Sequence, residues 1–293
     1  MTFFKIHHNT TYRYNQPVFL KPHLVRLRPR CDGWQKLQHY QLDVSPDPVG
    51  QSQIVDLDGN ATVKLWFDRP TEKLQIFSTA EVETLQPNPF LYLLEPWAMQ
   101  LPFDYPSSLR SQLLSYLNPV GILPTTGDPV ATELAEDIVY RVRGNPIDFL
   151  HQLNQEIYRN CQYIVRPEGD PRSPSITWKQ REGSCRDFAV LFVAVCRVVG
   201  LAARFVSGYQ EGDLEAKERD LHAWVEVYLP GAGWRGYDPT HGLTVADGHV
   251  SLAASVYPSY AAPVEGGVVP VTSPLAGEKP LQSEMDFHIA IER

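Results

Sequence analysis

Cys185 is the residue of this sequence best placed to act as a nucleophile. It stands just before residues 188–199 (FAVLFVAVCRVV), a run that is apolar nearly all round a helix and ends at Gly200, so we expect it in the first turn of a buried helix. Backbone N–H groups and the helix dipole at that position favour a thiolate and can stabilise an oxyanion. The alternative is a small buried apolar side chain, which is how we interpret Cys196. Asp187 is expected to be an acid of the first helical turn rather than a pocket residue.

A thiol nucleophile needs a base, and His222 is the candidate. It opens an alternating run that reads HAWVEV, in which Trp224 lies on the same face of the predicted strand. The next predicted strand follows the turn at residues 230–233 (PGAG) and ends at Asp238. A hairpin of this length brings the end of its second strand beside the start of its first, so we predict that Asp238 contacts His222. The alternatives are a surface histidine and a plain Asp-Pro turn. With Cys185, the pair would form a triad for nucleophilic catalysis.

Two kinds of element must position these residues. In residues 1–100, short β-prone runs alternate with prolines and with the turn at residues 58–60 (DGN), which predicts an all-β N-terminal domain. Residues 101–293 predict helices followed by antiparallel strands, an α+β domain with a C-terminal tail. The predicted helices cover residues 107–117, 130–143 and 146–160, and the predicted strands cover 203–209, 223–229, 234–237 and, in the tail, 287–291.

Composition excludes several classes of protein. The 293 residues carry a net charge of −8, which disfavours a nucleic-acid partner. Four cysteines without a CxxC pair argue against a disulfide scaffold or a zinc ribbon. His222, His241 and His249 do not show a compact ligand spacing, so we expect neither a metal nor another cofactor. The N-terminus lacks a secretory h-region and no apolar run reaches the length of a membrane span, which predicts a cytoplasmic protein without a membrane partner. The oligomeric state stays open.

Several blocks of the chain resemble the transglutaminase-like superfamily. They are residues 183–189 (GSCRDFA), 200–204 (GLAAR), 207–209 (SGY), 222–226 (HAWVE) and 238–240 (DPT). The N-terminal domain is similar to that of a bacterial subgroup of candidate cysteine proteases, at residues 12–18 (YRYNQPV), 27–29 (LRP) and 58–60 (DGN). The resemblance covers most of residues 1–262 and departs from the family pattern at residues 254–257 (ASVY). It implies a papain-like, transglutaminase-like cysteine-enzyme core behind an all-β domain.

The resemblance assigns the same three residues that the chemistry selects, with Cys185 as nucleophile, His222 as acid and base, and Asp238 as the group that orients the imidazole. It implies a thioester formed from a peptide or amide substrate. We expect hydrolysis, which would make the protein a cysteine peptidase or amidase. A transglutaminase that transfers the acyl group to an amine and a catalytically silent binding module are the alternatives. A second oxyanion donor is expected from Gln180 or Trp178, and Trp224 is expected to line the pocket.

Overall fold

A computed structural model describes residues 1–118, 128–166, 169–212, 220–271 and 280–293 of the chain. The N-terminal part consists of strands, as the alternating pattern predicts. They are β1 (Thr2–Leu20), β2 (His23–Val25), β3 (Gln35–Ser45), β4 (Gly50–Val55), β5 (Ala61–Trp66) and β6 (Pro70–Thr84). In β1, buried and more exposed side chains alternate from Thr2 to Thr10, because successive residues of a strand point to opposite faces.

The central part of the described chain is helical. Its elements are α1 (Ser107–Leu117), α2 (Pro129–Arg141), α3 (Pro146–Asn160), β7 (Gln162–Tyr163), α4 (Pro174–Gln180), β8 (Glu182–Gly183) and α5 (Cys185–Val198). Asp128 and Asn145 accept hydrogen bonds from the first free N–H groups of α2 and α3, which explains why these helices begin there. Every residue of α5 except Arg186 and Val198 is buried, so the predicted central helix is confirmed. No helix in the described part of the chain combines the length and apolar character needed to cross a membrane.

An antiparallel sheet follows α5 and packs against it. Its strands are β9 (Ala203–Gln210), β10 (His222–Leu229), β11 (Gly233–Asp238), β12 (Leu243–Thr244) and β13 (His249–Ser255), in the spatial order β12-β11-β10-β9-β13. Ala223, Val225 and Val227 of β10 share one apolar core with α5, whereas Tyr209, Val250 and Leu252 belong to the core of the N-terminal strands. The sheet is therefore covered by helices on one side and by the N-terminal sheets on the other, and the α+β class is confirmed.

The C-terminal residues return to the N-terminal strands. They form β14 (Val264–Glu265), β15 (Val268–Pro270) and β16 (Ser283–Glu292). Strand β14 pairs with β2, and both β15 and β16 pair with β1, so that Lys5 faces Glu292 and Tyr14 faces Ser283. The sequence assigns these residues to the tail of the second domain, but in space they complete the two sheets of the first. The boundary near residue 100 separates strands from helices along the chain, and as a domain boundary it stays a prediction.

The turn predicted at residues 58–60 also fastens the two halves together. Gly59 adopts a φ of +79°, which favours glycine at that position of the β4–β5 hairpin. Next to it, the fully buried Asn60 donates from Nδ2 to the carbonyl of Ala254 at 2.9 Å and accepts at Oδ1 from the N–H of Ala254 at 2.9 Å. Gln35 makes the same pair of bonds to Ser251, at 2.9 and 2.8 Å. Side chains of the N-terminal sheets thus hold both ends of β13.

Candidate active site

Cys185 is the first residue of α5, as its position in the sequence predicts. The helix begins there because Asp187 reaches back, and its Oδ2 accepts from the backbone N–H of Ser184 at 2.7 Å and from the Ser184 hydroxyl at 2.9 Å. The interpretation of Asp187 as an acid of the first helical turn is confirmed. The Cys185 side chain is mostly buried, with 7% of the residue exposed, and it lies on the wall of a cavity.

His222 and Asp238 meet across the β10–β11 hairpin. Pairing of Val225 with Tyr237 brings the end of β11 beside the start of β10, and Nε2 of His222 lies 2.8 Å from Oδ2 of Asp238. The predicted contact between the two side chains is therefore present. Because Nε2 faces the carboxylate, Nδ1 is the ring nitrogen left for Cys185, which lines the same cavity as His222. Helix α5 and strands β10 and β11 each supply one member of this group.

Charge is stabilised strongly within this group. Burial by itself would lower the pKa of His222, but the charge and hydrogen bond of Asp238, together with those of Cys185, raise it to about 10. Burial by itself would raise the pKa of Asp238, yet the charge of His222 and the hydrogen bonds from surrounding histidines hold it well below its usual range. At neutral pH the site therefore contains an imidazolium beside a carboxylate.

Asp238 has more partners than the sequence indicates. Its Oδ2 also lies 2.9 Å from Nδ1 of His241 and 3.2 Å from Nε2 of His249, while Oδ1 accepts from the backbone N–H of Thr240 at 2.9 Å. His249 is buried, with 7% exposed, and comes from β13. The sequence by itself suggests only one possible role for His241 and His249, that of metal ligands. His241 follows the Asp-Pro turn by two residues, and this closeness in sequence indicates its contact with Asp238. No local pattern indicates that β13 brings His249 to the same carboxylate.

The same cluster is the group of described residues that could offer ligands to a metal ion. One donor atom each from His222, Asp238 and His241 lies within 4.8 Å of the others. The spacing in the sequence does not indicate this cluster, because it is the pairing of β10 with β11 that brings His222 beside Asp238 and His241. In the described structure these donor atoms hydrogen-bond to one another, an arrangement that suits proton transfer.

The other predicted site residues lie farther from the cysteine. Trp224 is buried and packs edge-to-face on His249, with ring centroids 5.3 Å apart, and it lines a separate small cavity. The half-buried ring of Trp178 lies under the Arg181 guanidinium, 3.7 Å from the ring centroid. Gln180 is exposed, and its Oε1 accepts from Arg172 at 3.0 Å. The structure does not bring Trp178 or Gln180 to the cavity at Cys185, and their role as oxyanion donor stays a prediction.

Comparisons with known proteins agree with this architecture. Residues 4–83 match the bacterial transglutaminase-like N-terminal region, and residues 132–239 match the transglutaminase-like superfamily. An uncharacterised protein of Mycobacterium tuberculosis is 30% identical over 253 residues, which cover 81% of this chain and 78% of that protein. A protein-glutamine gamma-glutamyltransferase of Pseudomonas aeruginosa is 31% identical over 129 residues, only 19% of its length.

The fold has a counterpart among solved structures. A candidate cysteine protease from Cytophaga hutchinsonii superposes with a TM-score of 0.74 at 22% identity, over 99% of this chain and 90% of that one. At this identity the likeness concerns the fold, including the N-terminal strands and the helix–sheet core. Together with the matched regions and the mycobacterial relative, it shows that the chain belongs to the transglutaminase-like superfamily and carries the bacterial transglutaminase-like N-terminal region.

Proposed function

We propose that this protein is a thiol-dependent amide hydrolase, a cysteine peptidase or amidase, with Cys185, His222 and Asp238 as its catalytic triad. The observation that carries the proposal is the 2.8 Å contact between His222 and Asp238 beside Cys185, in the wall of one cavity. This cavity has a volume of about 340 Å³, and both Cys185 and His222 line it. A nucleophile, a base and a group that orients the base, all within reach of a ligand, are what acyl transfer requires.

The first half of the reaction forms a thioester. The Cys185 thiolate attacks the carbonyl carbon of the bound amide, and negative charge moves to the carbonyl oxygen. The backbone N–H of Cys185 has no partner within the helix at this position and can donate to that oxygen. His222 then transfers its proton to the nitrogen as the C–N bond breaks, so that an amine leaves and the acyl group stays on sulfur.

The second half releases the acyl group. His222, now neutral, takes a proton from a water molecule, and the oxygen of that water attacks the thioester. Collapse of the tetrahedral intermediate breaks the C–S bond, which returns the thiolate and releases a carboxylic acid. Asp238 remains ionised throughout and stabilises the imidazolium that forms in each half.

Transfer of the acyl group to an amine is the second candidate function. The observation that favours it is the partial match to a bacterial protein-glutamine gamma-glutamyltransferase. The acyl-enzyme is common to both reactions, and only the second nucleophile differs, water in one case and a primary amine in the other. The geometry of Cys185, His222 and Asp238 serves both reactions equally well.

Turnover of peptides separates these functions. The wild type and the Cys185→Ala variant are incubated with a defined peptide mixture, with and without putrescine, and the products are identified by mass spectrometry. We expect cleaved or deamidated products from the wild type alone, without need for the amine. Products that contain putrescine instead support the transglutaminase. Turnover by Cys185→Ala contradicts the assignment of the nucleophile.

The state of the thiol is tested without any substrate. We expect iodoacetamide to alkylate Cys185 rapidly at pH 6, and the rate to fall in His222→Ala because the imidazolium partner is lost. Cys161 and Cys196 serve as comparisons, since burial raises the pKa of Cys161 to about 11 and that of Cys196 well above its usual range. If Cys185 is as slow as these two thiols at pH 6, the hydrolase proposal fails and a silent binding module is favoured.

A further inference from the structure

The cavity at Cys185 is closed on one side by strands of the N-terminal sheet. Tyr12 and Thr10 of β1 line it together with Met285 and Phe287 of β16. The register of the two strands pairs Tyr12 with Met285 and Thr10 with Phe287, so these four side chains form two neighbouring cross-strand pairs on one face of the sheet. Residues near the C-terminus, far outside the matched superfamily core, thus form a wall of the catalytic cavity.

This wall leaves apolar surface uncovered. The next residue on the same face of β16, Ile289, is packed into the core with 1% exposed, whereas Phe287 keeps 37% exposed and Met285 is only half-buried. The loop between β13 and β14 adds Pro258, Ala261 and Pro263 to the lining. An aromatic ring and a thioether left open inside a concave site are the kind of surface that a ligand covers.

The polar groups that β1 contributes at His8 and Thr10 are already engaged within the protein. Both ring nitrogens of His8 are bonded, at 2.8 Å to the Tyr209 hydroxyl and at 2.8 Å to the Thr10 hydroxyl. Burial lowers the pKa of His8 to about 4, so this ring is neutral at pH 7. The wall near β1 therefore offers contact surface rather than a free charge.

The arginine side chains that line the cavity are also bonded to other groups of the protein. Arg166 is paired with the buried Asp187 at 2.6 Å, and Arg186 donates to the carbonyls of Gly169 and Arg166. Asp170 and Asp220, which are exposed, also line the cavity. These carboxylates repel an acidic ligand, and the engaged arginines are not available to one. The recognition that remains is apolar.

We propose that Met285 and Phe287, with Tyr12, form a specificity pocket for a large apolar side chain next to the scissile amide. This inference rests on the proposed function of Cys185 and names its substrate class, short peptides or amides with an aromatic or long aliphatic group at that position. A volume of about 340 Å³ is near the lower end of ligand pockets, which span roughly 300–1,000 Å³. It suits a short segment rather than a folded protein surface.

Two reagents with the same electrophile test the pocket. Iodoacetamide and N-benzyl iodoacetamide both alkylate thiols, and only the second carries an aromatic group. We expect Cys185 in the wild type to prefer the benzyl reagent about tenfold, with the exposed Cys31 of the same chain as the reference for intrinsic reactivity. In Phe287→Ala and Met285→Ala this preference, the ratio of the two alkylation rates within each variant, should fall severalfold.

Matched variants keep the result interpretable. Asp286→Ala and His288→Ala change exposed residues on the opposite face of β16 and should keep the preference. Phe287→Leu retains apolar bulk and should restore most of it, which separates loss of contact from loss of folding. A wild type without preference, or alanine variants that retain it, overturns the pocket. A failure of the proposed nucleophile would appear separately, as slow labelling of Cys185 by iodoacetamide itself.

Discussion

Three imidazoles lie within hydrogen-bond distance of one oxygen of Asp238, and only one of them belongs to the proposed triad. His222 binds it from β10, His241 from the turn after β11, and His249 from β13. A carboxylate with several donors is held in one orientation, and because it stays ionised, each donor must carry its proton on the nitrogen that faces it. We therefore expect His241 and His249 to act on His222 through Asp238, as positioning residues of the proposed triad.

Removal of one of these donors should slow the reaction without abolishing it. His249→Leu deletes the N–H that faces Asp238 while filling a similar space, and we expect Cys185 alkylation at pH 6 and peptide turnover to fall roughly three- to tenfold, as for the loss of about 1 kcal/mol, the net contribution of one typical hydrogen bond. His249→Gln places an amide N–H near the same oxygen and should recover most of the rate. If His249→Leu is as fast as the wild type, His249 only packs against Trp224.

The residues of the site were accessible to sequence reasoning to different degrees. Cys185 follows from the helix start, and Asp238 follows from the length of one hairpin, because both arguments use local geometry. His249 lies on a strand that reaches Asp238 only after the sheet has formed, so no local pattern predicts its contact. The cavity wall at Phe287 depends on a strand that pairs across most of the chain length.

Among the secondary-structure elements, the first turn of α5 determines where the nucleophile lies. Asp187 is fully buried there and accepts from Arg166 at 2.6 Å, from the N–H of Arg172 at 2.7 Å and from Ser184 at 2.7 Å. Burial alone would raise the pKa of Asp187, but these hydrogen bonds hold it below its usual range. One carboxylate thus connects the start of α5 to the segment that precedes α4.

Asp187→Asn should weaken this element markedly. The amide keeps the shape, but its NH₂ faces other donors and the buried charge pair with Arg166 is lost, so we expect about 2–4 kcal/mol less unfolding free energy in urea titrations. Asp148→Asn is the matched control, because Asp148 lies in the first turn of α3 and is exposed. Little change is expected there. Equal effects of the two substitutions would mean that Asp187 contributes only a helix-dipole interaction.

The elements themselves were largely predictable, and their partners less so. Asp128 and Asn145 mark the starts of α2 and α3 because an N-cap is a local signal. Alternation likewise predicts a strand over residues 287–291, but it says nothing about which sheet the strand joins. That β16 pairs with β1 results from long-range packing, which is why the sequence assigned these residues to the second domain.

At the scale of the whole molecule, the N-terminal sheets are part of the site rather than an appendage. Asn60 and Gln35 bind the backbone of β13, the strand that carries His249, and β1 with β16 closes the cavity. Tyr209 of the central sheet belongs to the same apolar core as the N-terminal strands and binds His8 of β1. Folding of the two halves should therefore be strongly coupled, and the ionisable groups at these contacts should influence the stability of the entire protein.

Two sets of histidines change protonation on unfolding in opposite directions. Burial lowers the pKa of His8 to about 4 and also lowers that of His23 and His249. Between pH 4 and 6.5 the unfolded chain therefore binds more protons than the folded one, and stability rises with pH. His222 is the opposite case, with a pKa raised to about 10. Between about pH 8.5 and 10, where a cysteine of the unfolded chain has also lost its proton, the folded chain retains on His222 a proton that the unfolded chain has lost, so stability falls as pH rises.

Unfolding free energy should therefore be highest between about pH 6.5 and 8.5. Urea titrations from pH 4 to 10 measure it, and the slope of each limb reports the protons exchanged, whatever the absolute stability of a variant. His8→Gln should flatten the acid limb, because a shift of about 2.5 pKa units corresponds to about 3 kcal/mol by pH 4, and leave the alkaline limb intact. His222→Gln should make the alkaline limb shallower, and the remaining slope belongs to the buried Cys161 and Cys196, whose pKa is raised. Carboxylates whose pKa is lowered, such as Glu226, change the unfolding free energy mainly below pH 4.5, the usual pKa of a glutamate. An alkaline limb that is as steep in His222→Gln as in the wild type would show that His222 is not an imidazolium in the folded protein, and the proposed ion pair with Cys185 would fail with it.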